Sequence, residues 1–257
     1  MLELKHINKV FNPGSITESV LFDDFNLTVD DGEFVSIVGS NGSGKTTMLN
    51  LICGSIKPSA GDVVIGGRRM NGQKEYKRYR NFGRVYQNPA MGTCPNMTML
   101  ENLSLADNKG KRYGLSSGIN RRREGFYKEQ LSMLGLGLED KMNVKLGSLS
   151  GGQRQAVALI MATLTPIDFL ILDEHTAALD PKTADIIMTL TDKVVREKKL
   201  TALMVTHNLR YAVEYGTRLI MMDKGKIIMD KAGEEKCSTA VDDILTVFNE
   251  ISIECGN

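Results

Sequence analysis

Apolar and polar positions change period several times along the chain, and each change marks an element. Residues 1 to 38 read as short strands around the polar stretch Asn12-Pro13-Gly14-Ser15. They end in Phe34-Val35-Ser36-Ile37-Val38, the nearly continuous apolar run that a strand buried on both faces requires. A helix is predicted next, closed by Gly54 as its C-terminal cap, and Val63-Val64-Ile65 before Gly66-Gly67 predicts a strand entering a turn. From about residue 90 to 150, clusters of Gly, Asn and charged residues surround helical patches without apolar strands, which predicts an inserted helical subdomain. Strands resume at Phe169 to Leu172, Ala202 to Thr206 and Leu219 to Met222. Between the first two, Asp180 suits a helix N-cap and Pro181 the first helical position, while Ile186, Ile187, Leu190, Val194 and Val195 recur at the spacing of one apolar face. That succession is a right-handed βαβ pattern, so the class is α/β. Asp223-Lys224-Gly225-Lys226 between two apolar runs predicts a hairpin, and Val241 to Phe248 a closing amphipathic helix.

Composition narrows the function classes. A length of 257 residues suffices for one large domain with subdomains, and 32 Lys+Arg against 31 Asp+Glu leave a net charge of +1. No global field therefore drives the chain onto nucleic acid or an anionic membrane. Cys53, Cys94, Cys237 and Cys255 are scattered without a CxxC pair, which argues against zinc and for reduced thiols acting as small apolar fillers. The N-terminus lacks the apolar core of a signal peptide and no apolar string approaches a membrane span, so a soluble protein retained inside the cell is expected. The basic clusters Lys77-Arg78-Tyr79-Arg80 and Arg121-Arg122-Arg123 read as solvated helix faces, and the 14 methionines as adaptable core filler.

Three strings carry chemistry. Gly39-Ser40-Asn41-Gly42-Ser43-Gly44-Lys45-Thr46 fits GxxxxGK[ST] directly after a predicted strand and before a helix. Glycines there let backbone N–H groups wrap phosphates, the helix N-terminus adds positive potential, Lys45 reaches the β- and γ-phosphates, and the Thr46 hydroxyl ligates Mg²⁺. Phe169 to Leu172 leads into Asp173-Glu174, two carboxylates at the end of a buried strand, where α/β sheets place ligand chemistry. Asp173 is expected to hold Mg²⁺ through water and Glu174 to polarise the attacking water. Leu149-Ser150-Gly151-Gly152-Gln153 reads locally as a capping box formed by Ser150 and Gln153.

That last string is also LSGGQ, the signature of the ATP-binding cassette ATPases, and the resemblance extends over nearly the whole chain. It implies a P-loop NTPase (RecA-like) core with an antiparallel β subdomain and an inserted α-helical subdomain. These would form one nucleotide-binding domain over residues 1–257, with the helical part at about 90–160 and a C-terminal helix at about 238–252. It also implies that Ser150, Gly151, Gly152 and Gln153 face the γ-phosphate of ATP held by an opposite protomer, so that hydrolysis needs a dimer. Gln87 matches the glutamine that contacts Mg²⁺ and the attacking water, Ala177-Ala178-Leu179-Asp180 the D-loop, and His207 the switch histidine. Phe11 resembles the aromatic that stacks on adenine, and Gly39 to Thr46 with Thr47 complete the nucleotide set. His175 stands where most of the family has Pro, and Ala156 where an Arg is common; the imidazole is either a pH or nucleotide sensor at the interface or a tolerated loop substituent.

The resemblance implies an ATPase using ATP and Mg²⁺ that energises a membrane importer. The implied partners are a second copy of the protomer, an integral permease and an extracytoplasmic solute-binding lipoprotein, with no nucleic acid, and the implied place is the cytoplasmic face of the membrane. The string Glu174-His175-Thr176-Ala177-Ala178-Leu179-Asp180-Pro181 and the loop Asn12 to Ser19 look like a narrower bacterial group, some members of which serve aromatic amino acid uptake. The competing class is a cassette protein acting on DNA or ribosomes, which the single cassette and the absence of sustained heptads disfavour. A scaffold without turnover conflicts with an intact Glu174 and His207.

Overall fold

The computed structural model describes residues 1–111, 114 and 117–254, the last four as backbone. In chain order the strands and helices are β1 (Leu2–Phe11), β2 (Ser19–Val29), β3 (Phe34–Gly39), α1 (Lys45–Cys53), β4 (Ala60–Ile65), β5 (Arg68–Arg69), α2 (Glu75–Arg78) and β6 (Phe82–Val85). Then follow α3 (Met99–Asp107), α4 (Glu124–Ser132), α5 (Gly151–Ala162), β7 (Phe169–Asp173), α6 (Pro181–Glu197) and β8 (Ala202–Val205). The chain ends with α7 (Leu209–Glu214), β9 (Arg218–Asp223), β10 (Lys226–Ala232), α8 (Gly233–Cys237) and α9 (Val241–Glu254). It divides into two compact units, one made of Met1–Gly72 with the chain from Leu203 onward, the other of Gln73–Ala202.

The first unit holds an antiparallel sheet in the order β2-β1-β4-β5 and a run of strands in the order β10-β9-β3-β8. Every residue of β3 is buried, as its apolar run requires, and β3 pairs in parallel with β9 from Val35↔Arg218 to Gly39↔Met222. Val38, Leu219 and Met221 share a core with Ala212 of α7 and Ile244 of α9, with Val247 and Phe248 packed on its edge. Burying each such side chain is worth ~1.5–3 kcal/mol, so the amphipathic closing helix is a structural cover for this sheet. The hairpin at Asp223-Lys224-Gly225-Lys226 forms with positive φ at Lys224 (41°) and Gly225 (76°), the two-residue turn whose twist suits antiparallel strands. Gly54 closes α1 in the left-handed region, its N–H donating to Asn50 and Leu51 carbonyls.

In the second unit β6 and β7 pair in parallel, and α5 packs against β6, α3, α4 and α6. Two helices begin with reciprocal capping boxes, Thr98 with Glu101 for α3 and Ser150 with Gln153 for α5. Such caps satisfy backbone donors that have no partner inside the helix, at about 1 kcal/mol each. Asp180 caps α6 by accepting from the Thr183 N–H at 3.1 Å, with Pro181 at the first helical position.

Several expectations are corrected. The buried face of α6 is Ala184, Ile187, Met188, Thr191, Val194 and Val195, and Ile186 is 42% exposed, because helical phase places it beside the stripe. Arg78 is buried and Arg123 pairs with Asp107 at 2.8 Å, so neither basic cluster is simply a solvated face. Cys53 is a buried filler, but Cys237 is exposed, and Cys255 lies outside the described residues. Among the described residues no helix is long and apolar enough to cross a membrane.

Candidate nucleotide site

In the first unit the glycine-rich turn joins the end of β3 to the start of α1. Gly39 has φ 156°, and a Cβ there would overlap the Met222 carbonyl of β9 and come 2.8 Å from Ser43 Oγ, so this close passage between strands admits only glycine. Gly42 and Gly44 also have positive φ, and Gly44 is the N-cap of α1. Ser40 Oγ donates to Asp223 Oδ1 at 2.7 Å and the Gly225 N–H to the Ser43 carbonyl at 3.0 Å, anchoring the turn on the β9–β10 hairpin. The Lys45 side chain is buried inside its own loop, with Nζ donating to the carbonyls of Gly39 (2.8 Å) and Ser40 (2.9 Å) and lying 3.4 Å from Ser43 Oγ. Asn41, Thr46 and Thr47 lie along the same turn and first helical residues, with Asn41 and Thr46 exposed.

His207 reaches this region through β8. The Thr206 N–H donates to the Ile37 carbonyl of β3 at 3.1 Å, which sets the exposed His207 beside the strand that feeds the glycine turn. Phe11, at the end of β1, is 37% exposed, and Lys9 Nζ sits 5.0 Å from its ring centroid.

The second unit gathers the remaining candidates. Asp173 ends β7, and Glu174 follows with φ 48°, a left-handed conformation uncommon for a side chain of that size. Asp173 Oδ2 accepts from Arg84 Nη2 of β6 at 2.6 Å. Gln87 is exposed just beyond β6, and the carbonyl of the residue before it, Tyr86, accepts from Gln155 Nε2 of α5 at 2.9 Å. Ser150, Gly151, Gly152 and Gln153 form the first turn of α5, and a Cβ on Gly152 would overlap Thr183 Cγ2 of α6. The Asp180 carboxyl is held below its usual range by hydrogen bonds from Thr183, the same contacts that cap α6.

Of the two readings of His175, burial argues against the interface sensor and leaves the tolerated loop substituent, packed into the core. It is 2% exposed, its Nε2 lies 3.1 Å from Thr191 Oγ1, and burial pushes the imidazole down to about 4. Thr191 Oγ1 in turn donates to the Ile187 carbonyl, so the imidazole N–H donates to Thr191.

Arg84 and Gln155 were not singled out by the sequence. A signal existed for the first: an arginine inside Phe82-Gly83-Arg84-Val85 interrupts an apolar strand, and a buried cation requires a partner. A groove of about 390 Å³ inside the second unit is lined by Tyr79, Tyr86, Met91, Leu105, Lys109 and Met161 among others. Lys109 donates to the Phe82 carbonyl, and burial lowers its amine to about 8.

Among the described residues no cluster of three or more His, Cys, Asp or Glu could hold a metal by itself. The candidate donors, the Thr46 hydroxyl, the Asp173 carboxylate and the Gln87 amide, are all oxygen. Oxygen is the donor type that a hard cation takes.

A family model described as ABC transporter matches residues 22–177. The chain is 46% identical over 248 residues to the tyrosine transport ATP-binding protein of Clostridioides difficile, covering 96% of this chain and 98% of that relative. The chain belongs to the ABC transporter ATPase family. Its likeness to the family is broad: it is 32% identical over 260 residues to a methionine import ATP-binding protein of Bacillus cereus, covering 97% of this chain and 73% of the relative. The ATP-binding cassette MJ0796, solved as a dimer in a post-hydrolysis state bound to ADP and Pi, superposes with a TM-score of 0.74 at 34% identity, over 90% of this chain and 98% of that one. As a member of this family the chain is an ATP-binding, ATP-hydrolysing subunit with the P-loop NTPase fold.

Proposed function

We propose that this cassette powers import of an aromatic amino acid, tyrosine being the first candidate, by closing on a second copy of itself around ATP and Mg²⁺. The single observation that carries the substrate reading is the 46% identity, over nearly the full length of both chains, to a tyrosine transport ATP-binding protein. The dimer reading is supported by the cassette MJ0796, which was solved as a dimer. In this reading the Gly39 to Thr47 turn cradles the phosphates, Phe11 stacks on adenine, and Thr46, Asp173 and Gln87 would hold magnesium. Bound there, magnesium would offset the negative charge of the phosphates. Glu174 orients and polarises the attacking water, His207 holds the γ-phosphate, and Ser150 to Gln153 with Asp180 close over the nucleotide of the opposite copy.

A separate integral permease carries the solute, with an extracytoplasmic binding lipoprotein delivering it, so the cassette works at the cytoplasmic face of the membrane. The groove beside Met91 and Leu105, which are 70% and 44% exposed, supports permease docking on the second unit. The test is to purify the cassette from membranes of its own host with whatever membrane and solute-binding proteins accompany it. The ligand released from the binding protein is then identified by mass spectrometry, and ATP hydrolysis is measured with that ligand added. Tyrosine or another aromatic amino acid that stimulates hydrolysis is the expected result; a different ligand class overturns the substrate reading while leaving the ATPase intact.

A further inference from the structure

Arg84 sits in the middle of β6, in register with Ile171 of β7, within an otherwise apolar strand. Its side chain is 8% exposed, and its Nη2 lies 2.6 Å from Asp173 Oδ2, a short charge-assisted bond. The guanidinium is held from two further sides: Nη1 donates to the Tyr79 hydroxyl at 3.4 Å, and the cation lies 4.7 Å from the Tyr86 ring centroid. A cation this well shielded and this firmly placed is part of the carboxylate's environment, not an incidental surface pair.

We propose that Arg84 is a positioning residue for the metal step: its guanidinium is the resident counter-cation of Asp173, fixing the carboxylate's orientation through Oδ2 and weakening its hold on bare magnesium. The inference rests on the reading of Asp173 as a metal carboxylate. Two cations on one carboxylate repel, and in a shielded site little solvent or salt lies between them to weaken that repulsion. Magnesium that arrives with a nucleotide brings phosphate charge that offsets part of the repulsion, whereas the bare ion brings none; the part that remains raises the magnesium concentration that nucleotide binding needs. Arg84 thereby biases the site toward the magnesium-nucleotide complex.

The experiment follows a fluorescent ATP analogue binding to the full chain while magnesium is titrated, for wild type, Arg84→Met, Arg84→Lys and Asp173→Asn. Arg84→Met is expected to lower the half-saturating magnesium concentration about tenfold, because the repelling charge is gone. Nucleotide affinity in chelator stays the same. Arg84→Lys keeps the charge but not the planar fork, so its magnesium requirement stays closer to wild type than that of Arg84→Met. In chelator Arg84→Met melts below wild type, since Asp173 loses its partner, and magnesium-nucleotide raises its Tm by more than it raises that of wild type. Should Arg84→Met not fold, Arg84→Gln, neutral and still able to donate a hydrogen bond, carries the same expectation. An unchanged or increased magnesium requirement in the neutral variants, alongside an increased one in Asp173→Asn, makes Arg84 merely structural and overturns the proposal. If Asp173→Asn itself leaves the requirement unchanged, the metal reading of Asp173 falls and this proposal falls with it.

Discussion

At the residue scale, the candidate site is a set of charges placed by backbone geometry. The Lys45 ammonium is already satisfied by two loop carbonyls, so reaching a phosphate exchanges neutral acceptors for charged ones. Lys45→Ala is expected to weaken ATP binding by about ten- to a hundredfold, the worth of a charged hydrogen bond, as measured by calorimetry. Glu174→Gln keeps the charge-independent shape of its left-handed turn. It should therefore leave ATP affinity near wild type, slow phosphate release at least about a hundredfold and trap an ATP-dependent dimer on size exclusion. An active, monomeric Glu174→Gln would show that the base is elsewhere. His175 makes a different prediction. Its imidazole has an unfolded value near 6.5 and a folded value of about 4, so the unfolded chain binds the extra proton between those limits. The stability contributed by neutral burial is complete above pH 6.5 and is lost as pH falls through about 4, by on the order of 3 kcal/mol. Melting temperatures of the nucleotide-free protein between pH 7 and 4 should fall less steeply for His175→Gln, whose side chain can still donate to Thr191 but does not titrate.

At the element scale, α5 and α6 share one tight contact. A methyl group at Gly152 would overlap Thr183 Cγ2, so the second glycine of the signature is needed for helix packing as well as for any approach to phosphate. Gly152→Ala is expected to cost about 1–3 kcal/mol, the usual penalty of overpacking. Thr183→Ser removes the obstructing methyl while keeping the hydroxyl that bonds Asp180, and the double variant should recover most of that loss in thermal melts. Recovery of stability without recovery of hydrolysis would separate the packing role from the catalytic one. The helix starts were legible in the sequence because they are local: Ser150 and Gln153, or Asp180 and Pro181, sit within one turn and state their own hydrogen bonds. The buried face of α6 was less so. Apolarity alone selected Ile186, whereas helical phase, which passes through Ala184, Met188 and Thr191, decides what faces inward.

At the scale of the whole molecule, the same distinction explains what could be read and what could not. The glycine turn, the Asp173-Glu174 pair and the signature are contiguous strings, whereas Arg84 meets Asp173 across 89 residues of chain and Gln155 meets Tyr86 across 69. Such pairs depend on the register of β6 with β7 and on the seating of α5, which no local pattern states. Exposed apolar surface is legible only once folded, because Met91 and Leu105 are apolar residues that a sequence would assign to a core and are exposed in the structure. If that groove receives the permease, Leu105→Asp places a charge where an apolar contact is needed. Basal hydrolysis, nucleotide affinity and Tm should stay close to wild type, because the residue lies on the surface and apart from the candidate nucleotide contacts. Stimulation of hydrolysis by the reconstituted permease should drop about tenfold or more, since a buried unpaired carboxylate at such a contact costs at least ~1.4 kcal/mol. A variant stimulated as strongly as wild type would move the docking surface away from this groove and leave the nucleotide chemistry untouched.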